Sequence, residues 1–224
     1  MGTFLSPPAI ISILIALSVH EWAHGFVARM FGDPTAEYEG RLTLNPLAHI
    51  DPLGALMFVL VGFGWGKPVP INPHYFRHPK RDTAVVSLAG PLSNFLLAWI
   101  AFALLLLFVH GTVGSSAMGI LQPGTSAGIL AVVEMILRTS IFINLGFMAF
   151  NLLPIAPLDG SKVLHLFIPL KYDDRYETFM RRGPVILLIL LVVDQFLNIP
   201  ILFGWIGGIM SVVLSAMNTV AGLL

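Results

Sequence analysis

From Thr83 to Val109 the chain runs without a charged side chain. A helix of that length reaches across a hydrocarbon core of about 30 Å. Further apolar stretches run from Phe4 to Phe31, Ser126 to Leu170, Pro184 to Leu197 and Pro200 to Leu224. Charged residues make up 11% of the 224 residues, whereas a soluble domain carries about 25%, so lipid is the expected solvent. The 12 Lys and Arg residues balance 12 Asp and Glu, which gives no overall attraction toward nucleic acid. Cysteine is absent, so disulfides and thiolate metal sites are excluded. Any metal has to be held by His, Asp, Glu or backbone oxygen.

The first apolar stretch lacks the basic start and small-residue cleavage site of a signal peptide. It also contains His20, Glu21 and His24, the most chemically unusual residues of the chain. A polar stretch from Gly32 to about Asp82 follows and encloses an apolar run, Pro52 to Trp65, then Gly66 to Pro73. That run is too short and Gly-rich for an ordinary span, and a hairpin or re-entrant loop fits it better. Residues Gly111 to Thr125 form a neutral connection. The stretch from Ser126 to Leu170 is too long for one straight helix, and Pro154 and Pro157 break it. Glu134 and Arg138, four apart in the favourable order, are expected to pair near a membrane face. The expectation is an all-α integral membrane protein, one domain over residues 1–224. It has four to five transmembrane segments, one broken by proline, and a re-entrant β-hairpin-like loop.

Basic residues set the orientation. Arg41, Lys67, Arg77, Lys80 and Arg81 follow the first span, and Lys171, Arg175, Arg181 and Arg182 precede Pro184. Gly111 to Thr125 has none. The positive-inside rule places both charged loops in the cytoplasm and the amino terminus outside.

His20-Glu21-Trp22-Ala23-His24 has the H-E-x-x-H pattern. Four residues apart on a helix, the imidazoles share a face and can bind one metal ion, with Glu21 beside the activated water as general base. The plainer reading is a pair of buried helix histidines bonded to neighbouring carbonyls. Inside an apolar span that reading weakens, because ionisable groups there usually have a partner or a task. A catalytic zinc site takes three protein ligands and keeps one position for water. Asp159, in Asn151-Leu152-Leu153-Pro154-Ile155-Ala156-Pro157-Leu158-Asp159-Gly160, is the candidate third ligand. His20 and Asp159 lie equally far along the chain from Phe31 and Leu170, the cytoplasmic ends of their segments, at a depth of roughly 16 Å. A helix cap after Pro157 is the alternative role for Asp159. His49, His74 and His78 read as solvated or locally bonded, and His165 as a hydrogen-bonded helix residue.

H-E-x-x-H in an early span with N-x-x-P-x-x-P-L-D-G in a later one resembles the site-2 proteases, intramembrane zinc metalloproteases. Gly40-Arg41-Leu42-Thr43-Leu44-Asn45-Pro46, Gly66-Lys67-Pro68-Val69-Pro70 and Ala89-Gly90-Pro91-Leu92-Ser93-Asn94 resemble the compact prokaryotic branch without PDZ or CBS domains. The resemblance covers His20 to Gly160, and Ala156 departs from it where a third proline is often found. It implies one zinc ion per chain on His20, His24 and Asp159, with Glu21 as general base. It also implies single-span membrane protein substrates and a prokaryotic plasma membrane, with the active site nearer the cytoplasmic face. Gly66 to Pro73 resembles the family's re-entrant β-loop, which guides an extended substrate strand. Gly90 and Asn94, four apart, are placed to let two helices approach closely and to offer a polar contact, with packing favoured for Gly90. Asn94 and Asn151 are candidates for binding substrate backbone or shaping the site. The sequence leaves the oligomeric state open. The rival reading is a membrane metal-binding or metal-transport protein on the same ligands. A transporter needs several weak sites along a path, often on repeated elements, whereas this chain has one compact cluster and no repeat.

Overall fold

The computed structural model describes residues 6–62, 64–110, 128–197 and 199–223. The neutral connection from Gly111 to Thr125 therefore lies outside the described residues. Nine α-helices occur among them, joined by turns and three 3₁₀ segments, and no strand. Four are long and apolar enough to cross a membrane: α1 (Pro7–Met30), α4 (Pro79–His110), α5 (Ile129–Asn151) and α9 (Leu202–Gly222). A fifth apolar helix, α8 (Gly183–Leu197), is shorter. The protein is an integral membrane protein by these helices.

The first helix shows how this sequence packs. Pro7 and Pro8 open it, where their missing N–H groups cost nothing. It closes on Gly32 at φ 97°, with Asp33 N–H donating to Ala28 O at 3.0 Å. Its buried face is Ala9, Ser12, Ala16, Ser18, Ala23, Gly25 and Ala28 beside the two histidines, while Ile10, Ile11, Ile15 and Phe26 point outward. Small residues inside and large apolar ones outside let helix backbones approach closely and present hydrocarbon to lipid. α1, α4 and α5 form the central triad. Phe102 and Leu105 of α4, Ile141, Leu145 and Met148 of α5, and Met217 of α9 make the main apolar core.

Short helix α2 (Thr35–Tyr38) and α3 (Pro52–Val61) occupy the polar stretch. The expected hairpin is a helix with an extended return. Asp51 accepts from Gly54 N–H at 2.7 Å to cap α3, and Gly62 at φ 78° ends it. The return is tied back by a single antiparallel bridge between Ile50 and Gly66 and by Lys67 N–H on His49 O at 2.8 Å. Arg41 Nη2 donates to Lys67 O at 2.7 Å, and Asp33 accepts from Asn72 N–H at 2.7 Å. Pro68 and Pro70 lack the N–H groups a ladder needs, so the pairing stops at one bridge. His49, expected in a polar loop, is fully buried and bonds Thr43 O. The Glu134–Arg138 pair forms at 2.6 Å.

After α5 the chain makes the irregular turn its prolines demand, through a cis Ala156–Pro157 bond, and re-enters as α6 (Asp159–Phe167). Lys80 Nζ, at the start of α4, donates to Ile168 O and to Asp173 of α7 (Asp173–Arg181). That hydrogen bond and charge hold the Asp173 carboxyl below the usual carboxylate range, against partial burial. His165 bonds the same carboxylate at 3.3 Å and stacks on Tyr176. Gly160 is where α6 meets the end of α5. A Cβ there would stand 2.2 Å from Leu152 O and 2.5 Å from Leu153 O. Gly160→Ala is expected to destabilise the detergent-solubilised protein by about 1–3 kcal/mol, as overpacking does. Its thermal unfolding midpoint, compared with that of wild type, checks this.

Candidate metal centre

His20 and His24 lie one turn apart on the inner face of α1, and Asp159 is the first residue of α6. All three are buried. The Nε2 atoms of the two imidazoles are 3.0 Å apart, and Asp159 Oδ2 is 3.2 Å from each. The fold thus joins His24 to a residue 135 positions further along the chain. Asp159 does not cap α6. Its second oxygen faces Lys162 Nζ at 3.6 Å.

The hydrogen bonds on the far side of each ring decide what those atoms can do. His24 Nδ1 is 2.8 Å from Val86 O. A carbonyl only accepts, so Nδ1 carries the hydrogen, and in the neutral ring Nε2 presents a lone pair. His20 Nδ1 is 2.6 Å from Asn94 Oδ1, with the same consequence. The carboxylate adds a third acceptor. With both rings neutral, three lone pairs converge, a repulsive arrangement unless a cation lies between. In a tetrahedral zinc site with bonds of about 2.0–2.1 Å, ligand atoms stand about 3.3 Å apart. The observed spacings fit, and two nitrogens with one carboxylate oxygen suit zinc.

Glu21 sits between the two histidines in sequence, and its Oε2 accepts from Val69 N–H at 2.8 Å. Of residues 68–70 only Val69 has an N–H to give, since its neighbours are prolines. α4 closes the other side of the site through Gly90. A Cβ there would stand 2.4 Å from His24 Nε2 and 2.6 Å from His20 Nε2. The packing role expected of Gly90 is thus packing against the imidazoles themselves.

Asn94 is fully buried, and its Nδ2 donates to Ala16 O at 3.1 Å and Asn144 Oδ1 at 2.9 Å, so its amide is spent inside the protein. Asn151 is half-buried and donates to Phe147 O one turn back. Asn144 and Val69 went unnoticed in the sequence. An asparagine inside an apolar span was the available signal for the first, and a lone donor between prolines for the second.

The sequence model of a family described as Peptidase family M50 matches residues 8–191. Among similar proteins, one of Bacillus subtilis named "Putative zinc metalloprotease YwhC" is 36% identical over 84% of this chain and 81% of its own. A Mycolicibacterium smegmatis protein named "Putative zinc metalloprotease Rip2" is 35% identical over 67% of this chain and 53% of its own. Its Mycobacterium tuberculosis namesake is 30% identical over 88% and 68%. No solved structure matches the chain significantly.

Gly90→Ala is expected to cut the zinc retained after purification to below about a tenth, because the new methyl group occupies the space of the ring nitrogens. Metal analysis of the purified variant beside wild type reads this directly.

Proposed function

This chain belongs to peptidase family M50, the site-2 protease family, and is a metalloprotease; from that premise we propose that it hydrolyses peptide bonds of single-span membrane proteins, with His20, His24 and Asp159 holding one zinc ion and Glu21 as general base. The observation that carries the reading is the convergence of two imidazole nitrogens and a carboxylate oxygen, with Glu21 on the same helix as the two histidines. When bound there, zinc supplies Lewis acidity, polarising the scissile carbonyl and lowering the pKa of water toward neutrality.

The chain's own residues do the rest. Glu21 takes the proton of the attacking water and returns it to the leaving amine nitrogen, so one carboxylate serves both halves of the hydrolysis. Val69 N–H, bonded to Glu21 Oε2, limits how that carboxylate can turn. Gly66 to Pro73 stands next to the base through this bond. An extended substrate segment laid along that loop would bring its backbone to Glu21. Asp159 adds negative charge to two neutral imidazoles, matching a divalent cation better than three neutral donors would.

Several features support the setting. The basic loops after α1 and before α8 favour a cytoplasmic location for the C-terminal ends of α1 and α6. The bacterial relatives favour a prokaryotic plasma membrane. The exposed apolar exterior, with Leu107 at 72% and Phe196 at 76%, supports the lipid bilayer as surroundings.

Glu21→Gln is expected to keep about one zinc per chain while cleavage of a model single-span substrate in detergent falls about 10²–10⁴-fold. Metal analysis and a gel assay on both proteins check this. Retained metal with no cleavage by wild type of any of a panel of spans, together with metal flux into liposomes, would replace protease by transporter.

A further inference from the structure

His20 and His24 are held in different ways. His24 leans on a main-chain carbonyl, Val86 O, whose direction no side chain can reverse. His20 leans on a side-chain amide, Asn94 Oδ1. An amide can be turned over, and turned over it would present NH₂ to the ring and demand the opposite tautomer. Something has to hold Asn94 in one sense.

We propose that Asn144, through Asn94, fixes His20 in the tautomer whose Nε2 lone pair faces the metal position, making the two asparagines positioning residues drawn from two further helices. The inference rests on the reading of His20, His24 and Asp159 as a metal centre. The chain of hydrogen bonds has a fixed end at each step. Asn144 Nδ2 donates to Ser140 O at 2.8 Å and Ser140 Oγ at 3.1 Å. Because a main-chain carbonyl takes its hydrogen, Asn144 must turn Oδ1 toward Asn94. Asn94 Nδ2 meets that oxygen at 2.9 Å and a second main-chain acceptor, Ala16 O, at 3.1 Å. Both hydrogens of its amide nitrogen are then used, and Oδ1 is left facing His20 Nδ1 at 2.6 Å. That nitrogen has to donate, so in the neutral ring Nε2 has to accept.

Turning over either amide would set oxygen against oxygen at a site with no water to repair it. Both asparagines are 0% exposed, and an unmatched polar pair in such a place is costly. The relay crosses α5 to α4 to α1. The packing of three spans is thereby tied to which nitrogen of one imidazole bears the hydrogen. Partners of this kind, on the far nitrogen of a ligating histidine, typically change metal affinity 10–100-fold when removed.

The competing explanation is that the asparagines only glue helices together. Zinc affinity by chelator competition and cobalt(II) absorption bands, measured on the full chain in detergent, separate the two, with the apo unfolding midpoint as the packing readout. Asn94→Leu is expected to raise the zinc Kd about 10–100-fold, and Asn144→Leu about tenfold. Asn94→Asp gives up both donated bonds but keeps an acceptor on Nδ1–H. It is expected to hold zinc within about threefold of wild type, with unchanged cobalt bands, even where its midpoint falls. A packing role predicts the reverse, with Asn94→Asp damaged like Asn94→Leu. That result, or wild-type zinc affinity in a folded Asn94→Leu protein, overturns the proposal. Should the leucine variants fail to fold, Asn94→Asp alone decides. Wild type that binds no zinc would sink the metal-centre reading, and the relay with it, whereas wild-type zinc affinity in every folded variant sinks the relay only.

Discussion

With both rings neutral, two imidazole nitrogens and a carboxylate oxygen turn lone pairs on one another at 3.0–3.2 Å in the buried interior. At low dielectric such a meeting is unfavourable until positive charge enters it. Much of the fold can be understood as what is needed to bring these atoms together and keep protons away. α1 presents two rings at a one-turn spacing. α4 supplies an acceptor behind each ring, Val86 O and Asn94 Oδ1. The proline turn after α5 swings Asp159 into place from the other half of the chain.

Close approach is the second requirement, and it explains where side chains are missing. Lipid tails are as apolar as leucine, so spans in a membrane gain little from burying large residues against one another. The buried face of α1 is accordingly built from alanine, serine and glycine, while isoleucine and phenylalanine face outward. Gly90 and Gly160 carry this furthest, one against imidazole rings and the other against main-chain carbonyls. The loop from Gly66 to Asn72 is held differently, by separate polar ties to His49, Arg41, Glu21 and Asp33. Its prolines prevent a ladder, and point contacts replace one.

How much of this could be read beforehand follows from the range of each signal. Length and hydropathy are local, so the long spans and the break at Pro154 and Pro157 were legible. His20, His24 and Asp159 were legible because ionisable residues in apolar chain are rare and because depth can be counted from a common face. Asn94 was noticed as a polar contact between helices, but its partners were not. Its neighbours come from α1 and α5, and no spacing along α4 reveals which side chain will meet it. The reach of Val69 N–H to Glu21 was hidden for the same reason. A backbone donor carries no residue identity, and its partner lies 48 positions away. The polar stretch was read as a hairpin because its Gly and Pro content marks turns well, but α3 within it needed the Asp51 cap, a signal that is short and easily passed over.

His24 precedes Asp159 by 135 residues, and that interval is also an interval of time. At synthesis rates of about 5–20 residues per second, roughly ten seconds separate the emergence of the first helix from that of the carboxylate. In between come Val86 and Asn94, so both rings find their outer partners before the third ligand exists. The site is thus assembled from the back forward: tautomers first, charge last. A nascent chain halted before α6 would carry two oriented imidazoles without the acid that completes them, and would hold a divalent ion only weakly. On the proposed metal-centre reading, the order of residues therefore delays full metal capture until nearly three quarters of the chain has been made.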